Sequence, residues 1–165
     1  MPKTELLGTL RALAGADVRF VVVGGVAAIL AGAILNTRDV DVVYALDEDN
    51  LARLAALLPR LDAVYRDPAG RRIEPTVERL RTQRVNLLST DLGDLDLLQE
   101  IGHAWRYDTL VPWSTWEQVE NVRVLVLGLS RLIEAKEIAN RPKDRAALPV
   151  LRHTLEMRRR KGLPT

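Results

Sequence analysis

The residues with the clearest chemical potential are a glycine pair and two aspartates in the segment 21–44, VVVGGVAAILAGAILNTRDVDVVY. Gly24 and Gly25 allow a tight turn and leave no side chain between an anion and the free N–H groups of a following helix. Asp39 and Asp41 alternate with valines, so a strand would point both carboxylates to one face. Donors for phosphate oxygens beside carboxylate ligands are what a magnesium–nucleotide complex needs. The segment therefore predicts a metal-dependent nucleotide site.

The apolar surroundings of the two aspartates argue against the ordinary explanation of such a pair. A Gly-Gly turn and an Asp-x-Asp sequence on a solvated strand are each common when they occur alone. Here they occur together, and the strand is otherwise made of valines. A half-buried carboxylate pair repels itself unless a cation or a proton intervenes. We therefore favour a bound metal ion.

The hydrophobic pattern of the whole chain predicts an α/β (α+β) fold, in which helices flank a mixed β-sheet and a helical segment forms the C-terminal part. The expected strands are 19–23, 39–44, 85–88, 94–98, 114–119 and 122–127. The expected helices are 4–14, a small-residue helix after Gly25, 48–58, 76–81, 130–140 and one that begins at Pro142. The run 106–116 could form a loop over the site, but core packing is the favoured expectation for the aromatic residues in or beside it, Trp105, Tyr107, Trp113 and Trp116.

Length and composition restrict the class of protein. At 165 residues, 47% hydrophobic and 28% charged, the chain is expected to form a single domain over 1–165, with 129–160 as packed C-terminal helices. The absence of cysteine fits a cytoplasmic protein. The apolar run 21–35 is shorter than the roughly 20 residues that span a bilayer, so no membrane association is expected. With two histidines and no cysteine, a zinc site is improbable.

The order of an apolar strand, Gly-Gly, a helix containing Gly32, and then Thr37-x-Asp39-x-Asp41 resembles the DNA polymerase β-type nucleotidyltransferase superfamily. Within it, the chain is similar to small bacterial minimal nucleotidyltransferases and to toxin-type nucleotidyltransferases of abortive-infection systems. The resemblance implies an enzyme that uses Mg²⁺, or Mn²⁺, to transfer an NMP from an NTP such as ATP to an acceptor hydroxyl, with release of pyrophosphate. It leaves the acceptor open between a tRNA end, a protein and a small molecule such as an aminoglycoside.

The family's third carboxylate has two candidates on the second strand of the predicted hairpin, Asp94 and Asp96. Asp94 follows a turn glycine, where an acidic residue needs no special explanation. Asp96 lies between leucines, as the family's third carboxylate does, and is the residue we assign; Asp94 remains the alternative. The resemblance thus implies that Asp39, Asp41 and Asp96 are the metal ligands and catalytic residues.

The resemblance also implies a set of nucleotide-binding residues: Gly24, Gly25, Thr37, Arg38, Lys136 and Asp144. Lys136 interrupts the buried stripe of its helix, where a lysine either reaches solvent or meets an anion, and the toxin-type relatives have a lysine there that contacts the triphosphate. Asp144 follows an Arg-x-Lys segment as in those relatives, although its place in the first turn of a helix also explains it. Leu35 stands where toxin-type relatives often carry arginine.

Two alternatives belong to other functional classes. The chain could be a catalytically weak binding module with the same fold, such as the antitoxin or partner of a toxin–antitoxin pair; Leu35 and the absence of a large helical substrate domain favour this. The basic clusters at 79–84 and 152–161 would instead suit a nucleic-acid-binding domain. A homodimer would give so short a transferase a way to complete its acceptor site.

Overall fold

The computed structural model describes residues 4–165 and contains a seven-stranded mixed sheet with helices packed against it. The strands are β1 (Phe20–Val23), β2 (Asp39–Tyr44), β3 (Val64–Tyr65), β4 (Val85–Thr90), β5 (Gly93–Leu98), β6 (Ser114–Val119) and β7 (Val122–Leu127). The helices are α1 (Thr4–Gly15), α2 (Gly24–Leu30), α3 (Glu48–Leu57), α4 (Val77–Thr82), α5 (Tyr107–Leu110), α6 (Leu129–Ala139) and α7 (Pro142–Arg160). No helix within residues 4–165 is long and apolar enough to cross a membrane.

The strand order places the two predicted acidic strands side by side. The order is β3-β4-β5-β2-β1-β7-β6, in which β2 pairs antiparallel with β1 and parallel with β5. The register aligns Asp41 with Val23 on one side and with Asp96 on the other. Because neighbouring strands lie about 4.8 Å apart, this register alone brings a carboxylate of β5 next to those of β2.

The helices cover the two halves of the sheet unequally. Every residue of β1 is buried, as are five of the six in β7, so helices cover both faces at the centre. In β4 and β5 burial alternates, and one face stays accessible. This accessible face includes Asp94 and Asp96, together with Leu87, a residue that is 41% exposed. The carboxylates therefore lie where the covered centre meets the open half.

The predicted mixed α/β fold is confirmed, with local differences. The helix at the glycine pair ends at Leu30 and so, contrary to expectation, does not contain Gly32, because Gly32 has a φ of +103°, which helical residues do not adopt. The short strand β3 was not predicted, because two residues show no alternation.

The expectation that the tryptophans pack in the core is wrong for two of them. Trp113 and Trp116 are 51% and 56% exposed, because they lie at the edge of the sheet, directly before β6 and within it. Arginine guanidinium groups lie over their rings instead: Arg131 is 3.8 Å from the centre of the Trp113 ring and Arg123 is 5.1 Å from that of Trp116.

Candidate active site

Three carboxylates from two neighbouring strands converge at the start of β2. Asp39, Asp41 and Asp96 each offer an oxygen that lies within 4.8 Å of the oxygens offered by the other two. Strand alternation keeps Asp39 and Asp41 on one face, and the parallel pairing of β2 with β5 adds Asp96. The structure therefore brings Asp96, and not Asp94, into the cluster. Such a set of hard oxygen donors suits a divalent cation.

The cluster carries an electrostatic cost when no cation is bound. Burial, the negative charges of Asp39 and Asp96, and a hydrogen bond to Asp96 together raise the pKa of Asp41 to about 7. Burial likewise raises the pKa of Asp96, although the Arg66 guanidinium opposes that effect. The raised pKa favours the protonated form of Asp41 in the metal-free protein, and a divalent cation would take the place of that proton.

The glycine pair lets the backbone at the start of α2 lie against the carboxylates. A Cβ atom at Gly24, where φ is +64°, would lie 2.0 Å from Asp41 Oδ2. A Cβ atom at Gly25 would lie 2.7 Å from Thr37 Oγ1. Any larger residue would displace one of these side chains. The glycines predicted to leave room for an anion thus also leave room for the side chains of Asp41 and Thr37.

The segment that precedes β2 contributes one ordered hydroxyl. The Thr37 hydroxyl donates to Asp39, with its Oγ1 3.2 Å from Oδ1 and 3.3 Å from the backbone oxygen. Arg38 is exposed directly before the strand. Leu35, at the position where toxin-type relatives often carry arginine, is partly buried against the core. Because leucine is uncharged, no positive charge reaches the site from this position.

Two cations meet a buried carboxylate beside the cluster. Asp144, in the first turn of α7, is fully buried; Lys136 Nζ lies 3.3 Å from its Oδ1, and Arg141 Nε donates to its Oδ2 at 2.6 Å. Although burial raises the pKa of Asp144, these two cations lower it overall. Lys136 is also close enough to lower the pKa of Asp41. Asp144 therefore holds Lys136 and Arg141 at the edge of the carboxylate cluster and is itself shielded from any ligand.

Asp94 has a different set of partners from the three clustered aspartates. Its Oδ2 accepts from Arg66 Nη1 at 2.9 Å, and its Oδ1 accepts from the Ser89 hydroxyl at 2.9 Å. The second terminal nitrogen of Arg66 donates to Asp96 Oδ1. Arg66 therefore bridges Asp94 and the clustered Asp96.

The fold has a counterpart among solved structures. The lincosamide antibiotic adenylyltransferase LnuA, with lincomycin bound, superposes with a TM-score of 0.63 over 92% of this chain and 97% of its own, at 12% sequence identity. The chain has a nucleotidyltransferase fold. The fold implied by the sequence resemblance is thus confirmed. No protein-family model and no curated protein sequence matches the chain.

The donor set fits the divalent metal that the nucleotidyltransferase fold implies. Three carboxylates converge from two strands, and their mutual repulsion, which helps to raise the pKa of Asp41, is what a cation would relieve. Sequence reasoning missed two residues beside this donor set, Arg66 and Arg141. Arg141 had a local signal, since it precedes Pro142 and forms a capping box with Asp144. Arg66 had none, because its partners lie 28 and 30 residues away in the chain.

Proposed function

We propose that this chain is a metal-dependent nucleotidyltransferase that moves an NMP from an NTP to an acceptor hydroxyl and releases pyrophosphate. The observation that carries the proposal is the convergence of Asp39, Asp41 and Asp96 directly beside the glycine start of α2. A structural role alone does not explain three mutually repelling carboxylates, since their repulsion costs stability. The shared fold with an adenylyltransferase supports the same reaction class.

In this reaction the acceptor oxygen attacks the α-phosphorus of the NTP, and the bond from that phosphorus to the oxygen that bridges it to the β-phosphorus breaks. Asp39, Asp41 and Asp96 would hold Mg²⁺ or Mn²⁺, which supplies Lewis acidity for the phosphate oxygens and the acceptor hydroxyl. Asp96 also accepts the proton that the acceptor hydroxyl loses. Pyrophosphate leaves with the electron pair of the broken bond.

The remaining residues bind and orient the triphosphate. The backbone at Gly24 and Gly25 carries no side chain that would exclude a phosphate group. Lys136 and Arg141, held by the buried Asp144, place positive charge where the leaving pyrophosphate develops negative charge. Arg141 is 60% exposed and so remains accessible to a ligand. Lys136 and Arg141 would thus supply the positive charge that an arginine in place of Leu35 would otherwise provide.

A thermal-shift titration with each of the four NTPs, in Mg²⁺ and in EDTA, tests the proposal. We expect Mg²⁺-dependent stabilisation by at least one NTP, because a ligand that binds only the folded state raises its stability by mass action. Asp39→Asn should abolish that stabilisation. The absence of stabilisation by any NTP would contradict the proposal and would favour a binding module such as an antitoxin.

The acceptor is then found by measuring pyrophosphate release with a panel of hydroxyl compounds. The panel contains tRNA, a mixture of proteins, an aminoglycoside and a lincosamide; the last is included because the structural neighbour is named as a lincosamide adenylyltransferase. Radiolabel from an α-labelled NTP should appear in the acceptor in the same amount as the pyrophosphate released. Release without label transfer would indicate hydrolysis instead.

Replacing Lys136 with Met should raise the KM for the NTP about tenfold or more, because a charge-assisted contact to phosphate is lost. Binding of Mn²⁺ alone should change little, since the three carboxylates remain. Isothermal titration calorimetry with Mn²⁺ and steady-state kinetics measure the two quantities separately. Lys143→Met is the matched control, because Lys143 is an exposed lysine in the first turn of the next helix, α7. An equal effect in both variants would show that general charge, rather than Lys136, attracts the NTP.

A further inference from the structure

Arg66 makes contacts that the nucleotidyl-transfer scheme does not use. It follows β3 directly, and its backbone N–H donates to the Leu87 carbonyl at 3.0 Å, which fixes its main chain beside β4. Its guanidinium reaches over to β5 and donates to both Asp94 and Asp96. One of these two carboxylates belongs to the clustered set and the other does not.

We propose that Arg66 is a positioning residue for the metal site, which holds Asp96 so that one of its oxygens faces Asp39 and Asp41. This inference rests on the proposed function, since it assigns Arg66 a role toward the metal ligands. The guanidinium occupies Asp96 Oδ1, and the other oxygen of Asp96 is left for a cation. Second-sphere partners of this kind orient metal-bound carboxylates.

Asp94 has the role of an anchor in this arrangement. One of its oxygens accepts from the Ser89 hydroxyl and the other accepts from Arg66, so both are already engaged. The contacts form a continuous series from Ser89 through Asp94 and Arg66 to Asp96. Along this series the side chains become less exposed toward the carboxylate cluster: 38% for Asp94, 30% for Arg66 and 14% for Asp96. The planar guanidinium suits this task, because its nitrogens donate in a fixed geometry that an ammonium group lacks.

The bridge also separates two carboxylates that repel each other. Asp94 and Asp96 point to the same face of β5. Without the guanidinium between them, repulsion would favour rotation of Asp96 away from its present position. The three oxygens that now lie within 4.8 Å of one another would then no longer converge.

The test is a calorimetric titration of the whole chain with Mn²⁺ alone, without nucleotide. We expect Arg66→Met and Arg66→Lys each to weaken Mn²⁺ binding about tenfold or more, as is typical when a second-sphere partner is lost. Asp94→Asn should act in the same direction. Arg66→Lys is the informative variant, because it keeps the positive charge and loses the two-pronged geometry.

Arg11→Met is the matched control, because Arg11 also bridges two partners, Asn121 and Glu120, at the turn between β6 and β7. We expect this variant to bind Mn²⁺ like the wild type. Thermal melting in EDTA should show similar stability for Arg11→Met and Arg66→Met, so that lost metal binding in the latter is not a loss of folding.

The alternatives give different results. Tighter Mn²⁺ binding in Arg66→Met would overturn the inference and show that Arg66 competes with the metal. Full affinity in Arg66→Lys would also overturn it, because charge alone would then suffice. If the wild type itself bound no Mn²⁺, the proposed function would fall and this inference with it. Normal wild-type binding with unaffected Arg66 variants would overturn this inference alone.

Discussion

Asp41→Asn should abolish magnesium-dependent stabilisation by NTP and, at the same time, make the metal-free protein more stable than the wild type. The first effect follows because Asn lacks the charge of a carboxylate ligand. The second follows because Asp41 lies, partly buried, against two other carboxylates, which raise its pKa to about 7 together with burial. A single substitution would thus change function and stability in opposite directions.

The pH dependence of this stabilisation has a definite sign. The pKa of Asp41 is higher in the folded protein than the value of 3.8 expected for an unfolded chain. The folded state therefore binds the proton more tightly, and the wild type loses stability as the pH rises from about 4 through about 7. Above pH 7 the free energy of unfolding of Asp41→Asn should exceed that of the wild type by about 2 to 4 kcal/mol.

Urea denaturation in EDTA at pH 4.5 and at pH 8 measures this difference. Asp49→Asn is the matched control, because Asp49 is exposed in the first turn of α3, where loss of its charge costs only about 0.3 to 1 kcal/mol. The gain in Asp41→Asn should be present at pH 8 and small at pH 4.5. Equal stability of Asp41→Asn and the wild type at both pH values would show that the carboxylates do not repel as their spacing implies.

Gly24→Ala should disrupt the metal site and destabilise the fold by more than backbone conformation alone explains. The φ of +64° is unfavourable for alanine by about 1 to 2 kcal/mol. In addition, the new Cβ atom would lie 2.0 Å from Asp41 Oδ2 and 2.8 Å from its Cγ, so Asp41 must move. We expect a total cost above about 3 kcal/mol and a loss of Mn²⁺ binding.

Gly70→Ala is the control that isolates the backbone contribution. Gly70 has φ +69°, close to that of Gly24, but a Cβ atom there would meet no atom within 4 Å. Urea denaturation of both variants gives the cost of the steric contact by difference. If Gly24→Ala is too unstable to purify, the substitution is instead made in an Asp41→Ala protein and compared with Asp41→Ala alone. The loss of stability caused by Gly24→Ala should then be smaller, because Oδ2 and Cγ of Asp41 are gone. Equal losses of stability in Gly24→Ala and Gly70→Ala would show that a Cβ atom at position 24 does not clash with Asp41.

Much of the local structure could be predicted from neighbouring residues. Asp47 caps α3 by accepting from the Asn50 N–H, and α7 begins at Pro142, as expected. The hairpin of β4 and β5 forms around the turn that ends at Gly93. In each case the partners lie a few residues apart, so the stabilising contact is encoded within one short segment. The same holds for Asp39 and Asp41, whose common face follows from strand alternation.

The amino-acid sequence by itself therefore determined which side chains are candidate metal ligands and which segments carry them. Only the tertiary structure decided that Asp96, and not Asp94, lies beside Asp39 and Asp41, because this placement depends on the pairing of β5 with β2 and on Arg66, 30 residues before Asp96. It likewise decided that Asp144 is buried as the partner of Lys136 and Arg141. Strand order and contacts between distant segments depend on how the whole core packs, and no local pattern specifies them.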